Sequence, residues 1–270
     1  NKSENYSAIG SYERKFSKKG RFLGLKLDYT INSLSGERYN IMNGQVYESS
    51  GDSTAQSLDQ KTVLLNKSKN LKASARFIEP LPMKGFYAQM GLSFVNARNT
   101  SFFNSYEKNV FDNEYSTAIS QLSNNYHYNV SALSEQLKLN YKNRKIDWFV
   151  GAKVHKVKLE QINLDSGKMS LNRKFNYILP MATFSWKYKR NSNLKFSLRK
   201  GVKAPKVNQI QPFVDNSNPQ NIVTGNPNLS PIESYSVSVR NNFWYPVSKT
   251  NLWSRFSFKV LQDDIVDSTF

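Results

Sequence analysis

The polar stretch PFVDNSNPQNIVTGNPNLSP, residues 212–231, concentrates side chains suited to holding a ligand. Asparagine and glutamine amides donate and accept hydrogen bonds at once, which suits a glycan or a peptide. Asp215, Asn216, Asn218, Gln220 and Asn221 are the candidates for that contact. A second set is cationic: Lys26, Lys153, Lys195 and Arg199 would favour an anionic small molecule if they lined one enclosed wall. Catalytic chemistry finds no comparable support. His127 and His155 are the only histidines, they fall on different strand-like stretches, and no carboxylate pattern completes a metal site around either. Cysteine is absent, and no phosphate-binding glycine loop, nucleophile elbow or HExxH signature occurs. Asp263 and Asp264 are adjacent, so on a strand they would point to opposite faces and could not share a proton. The chain is expected to be no enzyme and to need neither metal nor cofactor.

What positions these residues is a set of strands. From Phe22 to Asn32, Leu23, Leu25, Leu27, Tyr29 and Ile31 alternate with Gly24, Lys26, Asp28 and Thr30. Ile146, Trp148, Val150, Ala152 and Val154 form a second apolar row opposed by Gly151, Lys153 and His155. Ala182, Phe184, Trp186 and Tyr188 repeat the rule, as do Leu194, Phe196 and Leu198, and Tyr235, Val237 and Val239. Strict period two marks a sheet with one apolar and one polar face. Such runs predict about ten strands: roughly 4–16, 21–33, 67–79, 85–97, 126–141, 146–158, 176–189, 194–201, 232–244 and 251–262. About a dozen residues is long for a sandwich and right for a tilted strand crossing a bilayer.

The connectors alternate as well. Short ones (17–20, 80–84, 142–145, 190–193, 245–250) take turns with long ones (34–66, 98–125, 159–175, 202–231). That asymmetry belongs to a transmembrane β-barrel with tight turns on one side and long loops on the other. All four tryptophans (Trp148, Trp186, Trp244, Trp253) lie near short turns, as an interfacial girdle requires, although Trp244 and Trp253 have the parity of the polar face. The 212–231 stretch then falls in the last long connector. Its Asn-Pro turns, Gly225 and the apolar Phe213, Ile222 and Leu229 predict a loop tucked inward and held.

Charge and composition prune the alternatives. Lys and Arg outnumber Asp and Glu by 38 to 20, a net charge of +18. The basic residues are scattered among connectors such as KNRK (142–145) and KYKRNSN (187–193), so no phosphate-tracking patch forms and no nucleic-acid partner is expected. No apolar run is long enough for a membrane helix.

The segments LRKGVKAPKVNQIQPFVD and NIVTGNPNLSPIES resemble the conserved barrel segment of TonB-dependent outer-membrane receptors, more narrowly the Bacteroidetes-type outer-membrane β-barrel family. Ala204, Pro205, Pro212, Phe213, Gly225, Asn226, Pro227, Leu229 and Pro231 match its pattern position by position. FIEPLPMKGFYAQMGLSF and FNYILPMATFSWKY resemble further family segments, so the likeness runs from about residue 67 onward. Lys203 stands where the family often has Arg, and the acidic residue after the last proline is displaced to Glu233, so no family salt bridge is carried over.

The resemblance implies an all-β, antiparallel, up-and-down barrel in the bacterial outer membrane. Residues 1–270 would supply about ten strands of a larger barrel, without the plug domain that fills such receptors. It implies uptake of a substrate bound by external loops and a polar lumen, with energy from the TonB system through parts outside this chain. Outer-membrane lipid is the expected surround, and a surface lipoprotein partner is left open. The competing reading is a soluble or surface-exposed β-sandwich binding module, in which the apolar rows would be buried against a second sheet.

Overall fold

The computed structural model describes residues 1–47, 53–109, 111–165, 169–205, 207–210, 214–215, 223–226 and 228–265. The strands are β1 (Lys2–Lys15), β2 (Phe22–Tyr47), β3 (Ser53–Pro80), β4 (Phe86–Lys108), β5 (Tyr115–Ala118), β6 (Tyr126–Lys142), β7 (Ile146–Asn163), β8 (Met169–Lys189), β9 (Ser192–Lys203), β10 (Val214–Asp215), β11 (Val223–Thr224), β12 (Ile232–Tyr245) and β13 (Thr250–Gln262). A single turn of helix, α1, covers Val207–Ile210, and a 3-10 turn covers Ser120–Leu122. One antiparallel sheet of eleven strands runs β1-β2-β3-β4-β6-β7-β8-β9-β12-β13, with β5 added on β4. Along this path neighbours in the sheet follow chain order, an up-and-down meander, and among the described residues β1 does not pair with β13.

The apolar rows stand on the exposed face. Leu27 is 51% exposed, Val150 50% and Ile178 67%. Among the described residues nothing covers them, and the only other ladder, β10 with β11, belongs to a connector. That removes the sandwich reading, because a sandwich exists to bury such rows. This face is called outward here and the opposite one inward.

Where the outward row turns from apolar to charged, it does so obliquely. The change comes between Leu71 and Lys69 on β3, between Val154 and Lys156 on β7, and between Leu198 and Lys200 on β9. Following the ladders, Leu198 shares a rung with Ala182, Val150, Leu139, Ala88 and Glu79. Lys200 is therefore level with Phe77, eight residues short of Lys69. At about 3.3 Å per residue and 4.8 Å between strands, that slip over five spacings inclines the boundary by about 45°. A bilayer surface crossing tilted barrel strands cuts them at this angle.

The short turns close as the sequence predicts. Gly85 takes φ 85, and a Cβ there would meet the Lys142 carbonyl at 2.7 Å, while the Lys142 N–H donates to the Gly85 carbonyl at 2.8 Å. The β1–β2 turn is tied to β3 by Glu79, which accepts from Arg21 at 2.6 and 2.8 Å and from Lys18 at 2.7 Å. Outward aromatics gather at this end: Phe86, Tyr141 and Trp148 pack with ring centroids 4.7–6.0 Å apart, and Trp186 lies 5.7 Å from Tyr188. Trp244 pairs with Asn251 and Trp253 with Asn242 on the inward face, so the girdle contains two tryptophans rather than four.

The other end departs from expectation. Residues 34–66 and 159–175 are mostly strand, because β2 and β3 stay in register from the Phe22–Ile78 pair to the Tyr47–Ser53 pair, and β7 and β8 extend likewise. A crossing needs about 9–11 residues. The 26 residues of β2 thus leave roughly 15, on the order of 50 Å of hairpin, beyond the bilayer. Asp263 and Asp264 lie past the end of β13, with Asp263 at φ 58, and are not on alternating strand faces.

Beyond the apolar band, the inward face of β6–β8 carries the buried cluster of the chain: Tyr128, Val157, Leu159 and Leu171, joined by Ile210 from α1 and flanked by Leu229. The long 204–231 connector is pinned there, and β10 lies against the 3-10 turn Ser120–Leu122 of the connector between β4 and β6. The expected inward tuck holds for Leu229, whereas Phe213 and Ile222 fall outside the described residues.

Two outcomes test this arrangement. Leu27→Arg or Val150→Arg should cost about 2–4 kcal/mol in refolding titrations into lipid, and Ser93→Arg on the inward face little. Equal costs would undo the facing assignment. Burial pushes the Tyr128 phenol up to about 12. Its folded-state pKa is raised, so the stability it contributes is present below the ordinary tyrosine value near 10 and is lost between there and about 12. In alkaline absorbance titrations, the phenol missing from Tyr128→Phe should be one that ionises after the exposed tyrosines; an early one would mean the loop is not packed down.

Candidate functional site

The ladders place all four cations singled out from the sequence on the inward face. Lys26 stands between Ser11 and Ser74, and Lys153 between Gln136 and Leu179. Lys195 stands between Ser185 and Arg240, and Arg199 between Met181 and Ser236. They are not one cluster: Lys26 is on β2, six strands of the sheet from β9, which carries both Lys195 and Arg199. Cations not singled out fill the gap. Arg76 and Lys138 point inward, and Lys138 is within electrostatic reach of both Arg76 and Arg199. Its ammonium lies 4.8 Å from the Phe149 ring centroid, a cation–π contact. Gly151 opposite makes this possible, because a Cβ there would run into the Leu137 carbonyl and meet Lys138 Cγ at 2.8 Å. The signal for these residues was present in the sequence as parity: Arg76 and Lys138 alternate with Ala75, Phe77, Leu137 and Leu139.

Above this wall sits the mouth. Ala204 and the buried Pro205 lead directly out of β9, and the buried Pro231 leads into β12. The Asn226 N–H donates to the Gln209 carbonyl at 2.7 Å, so the two halves of the motif are joined through α1. The Asn226 side-chain oxygen accepts from the Asn228 N–H at 2.9 Å, and the Leu229 N–H donates to the Asn226 carbonyl at 3.3 Å. Gly225 and Asn226 thus begin a turn that delivers Leu229 to the buried cluster. Of the polar loop candidates, Asp215 has a described backbone, paired with Val223 in β10–β11. Its side chain, Asn216, Asn218, Gln220 and Asn221, and the motif residues Pro212, Phe213 and Pro227 lie outside what is described.

A second external contact came from no sequence signal. The Tyr115 hydroxyl on β5 donates to Asp59 on β3 at 2.6 Å, and holding that carboxylate raises the phenol above its ordinary pKa. Lys108 lies 3.5 Å from the same carboxylate. The four-residue β5 was too short to read as a strand, and the partners are 56 residues apart.

The histidines are engaged by hydroxyls on neighbouring strands. His127 Nδ1 lies 2.9 Å from Thr100 Oγ1 on the outward face, and His155 Nδ1 lies 2.7 Å from Ser134 Oγ on the inward face. Among the described residues no three His, Asp or Glu side chains come together as a metal site. The arrangement offers a basic, hydroxyl-rich wall beneath a partly covered mouth.

Comparison with solved structures finds the same sheet in outer-membrane transport proteins. The ferric citrate transporter FecA in its unliganded form superposes with a TM-score of 0.64 at 11% identity, covering 97% of this chain and 35% of that one. The copper transporter OprC gives 0.64 at 10%, covering 96% and 39%. The ferric yersiniabactin uptake receptor FyuA from Yersinia pestis gives 0.57 at 9%, covering 97% and 37%. The chain therefore spans little more than a third of these structures, and at such identities the likeness is one of fold, that of TonB-dependent receptor barrels. No curated protein sequence matches it. The sequence itself matches a family over residues 14–268, from the end of β1 past the end of β13. With outward apolar rows, tilted strands and turns of two lengths all accounted for by that match, the chain belongs to the outer membrane protein beta-barrel family, in the bacterial outer membrane.

Proposed function

We propose that this chain forms part of the wall and mouth of a receptor that takes up a substrate across the outer membrane, driven by the TonB system through parts outside these residues. The observation that carries the reading is the pairing of two features on one face. A loop is pinned into the external mouth through Ile210 and Leu229, and a basic wall descends beneath it. A barrel that served only as an anchor would need neither. Proteins of the same fold support the direction: FecA and OprC are described as transporters and FyuA as an uptake receptor.

The residues take these roles: Asp215, Asn216, Asn218, Gln220 and Asn221 meet the ligand at the mouth. Lys26, Lys153, Lys195 and Arg199 line its route. The motif residues from Ala204 to Pro231 hold the loop in place. Amide-rich loops suit glycans or peptides and a cationic lumen suits anions, so the substrate is drawn from those classes. A surface lipoprotein partner fits the long β2–β3 hairpin, which projects past the bilayer. Kinship with the Bacteroidetes-type branch rests on the proline–asparagine motif. The reading assigns no catalysis to the chain.

Uptake of labelled glycans, peptides and organic anions should be compared in cells with and without the full polypeptide, each with TonB present or deleted. At least one solute should need both. Receptor-dependent uptake that persists without TonB would overturn the coupling, and no receptor-dependent uptake would overturn the transport role.

A further inference from the structure

The inward face of β9, β12 and β13 carries a regular charge pattern. Its first rung is Lys195–Arg240–Arg255, three cations directly opposite one another on adjacent strands. The next is Ser197–Ser238–Ser257, three hydroxyls in line. The third is Arg199–Ser236–Lys259. Together they line a groove of about 400 Å³ that contains no carboxylate. Like charges directly opposite across a ladder oppose pairing. Some cations elsewhere among the described residues are matched, as Arg21 and Lys18 are by Glu79, Lys200 by Glu233 and Lys158 by Glu160. Among the described residues none of the five cations on these rungs is in an ion pair.

We infer that this grid is a binding site for a solute carrying two or more oxyanion groups, phosphate or carboxylate. Guanidinium forks match such groups bidentately, and lysine adds a point charge. The cationic rungs are four residues apart along each strand, about 13 Å at 3.3 Å per residue, and the long arginine and lysine arms can converge on anionic groups held between them. The serine rung between them donates hydroxyls to oxygens in the middle of the solute. Lys195 lies three residues past the short β8–β9 turn and the third rung lies further out, so the site belongs to the inner part of the wall rather than to the mouth. It deepens the uptake reading, on which it rests, by naming the substrate as a polyanion and placing its passage along β9, β12 and β13.

The test uses the full polypeptide in detergent micelles and inorganic tripolyphosphate as the probe, with titration calorimetry as the readout. The unmodified protein should bind tripolyphosphate more tightly than single phosphate, and binding should weaken as salt rises. Arg240→Ser with Arg255→Ser should weaken tripolyphosphate at least tenfold. Lys67→Ser with Lys69→Ser removes equal charge from the outward face and should change it less than twofold. Heat-modifiable gel mobility reports whether each variant is folded, and the salt dependence of the unmodified protein needs no variant at all. Equal weakening in both double variants would mean diffuse attraction and overturn the site. So would an absence of saturable binding, the result expected if carboxylates of the same polypeptide already occupy the rungs. Energy-dependent uptake without polyanion binding would remove this site and leave the receptor standing, whereas binding without uptake would do the reverse.

Discussion

Inside hydrocarbon a backbone amide has no water to bond with, and each unpaired N–H or C=O costs several kcal/mol. That constraint accounts for the plainest feature of this chain, a meander in which the crossing strands between β1 and β13 each pair with a neighbour on both sides. Pairing in turn fixes facing, because a strand cannot slip by one residue without exchanging its two faces. Leu25, Leu27 and Val150 stand toward lipid for the same reason that Lys26, Gly151 and Lys153 stand away from it. The polar average of the sequence is a consequence: half of each crossing strand is reserved for the wet side.

The same constraint explains which parts of the fold could be read from the residues. Where a strand crosses lipid, alternation is enforced, and β9 and β13 were expected at 194–201 and 251–262 against Ser192–Lys203 and Thr250–Gln262. Beyond the bilayer both faces meet water and the enforcement stops. TINSLSGERYNIMNGQVY continues β2 to Tyr47 with polar residues on either side, so its hairpin with β3 looked like a loop. The site divides along similar lines. The inward parity of Lys26, Lys153, Lys195 and Arg199 is a property of single strands and was legible. The alignment of Lys195, Arg240 and Arg255 is a property of register between strands. It depends on how many residues the turns at 190–191 and 246–249 consume, which alternation alone does not specify. Ile210 was missed because one helical turn has no periodicity to detect.

Register also turns a scattered charge into a sorted one. Along the chain the basic residues are dispersed over connectors and strands, which argues against a nucleic-acid groove. Folding sends many of them to three places. Some meet carboxylates at turns and boundaries, as at Glu79 and Glu233. Some end the outward apolar rows, as Lys69, Lys156 and Lys200 do, where long stems can lie along lipid with the charge at headgroup level. Others face inward, as Lys26, Arg76, Lys138, Lys153, Lys195 and Arg199 do, where charge facing an enclosed volume acts more strongly than at an open surface.

The two edges of the sheet impose a further requirement. β1 and β13 each present one unpaired side, and both are exposed along almost their whole length. Yet their outward rows remain membrane rows: Tyr6, Ala8, Gly10 and Tyr12 on β1, and Leu252, Phe256, Phe258 and Val260 on β13. A free edge with a lipid-facing row is untenable in hydrocarbon, so each of these edges requires a pairing partner in the membrane. The boundary inclined at about 45° points the same way, since tilt and stagger of that size are what a sheet needs to close on itself. The wall of cations next to β13 is then not at a margin. Strands added at that edge would set Arg255 and Lys259 within the lumen lining, with the charged grid facing an enclosed interior.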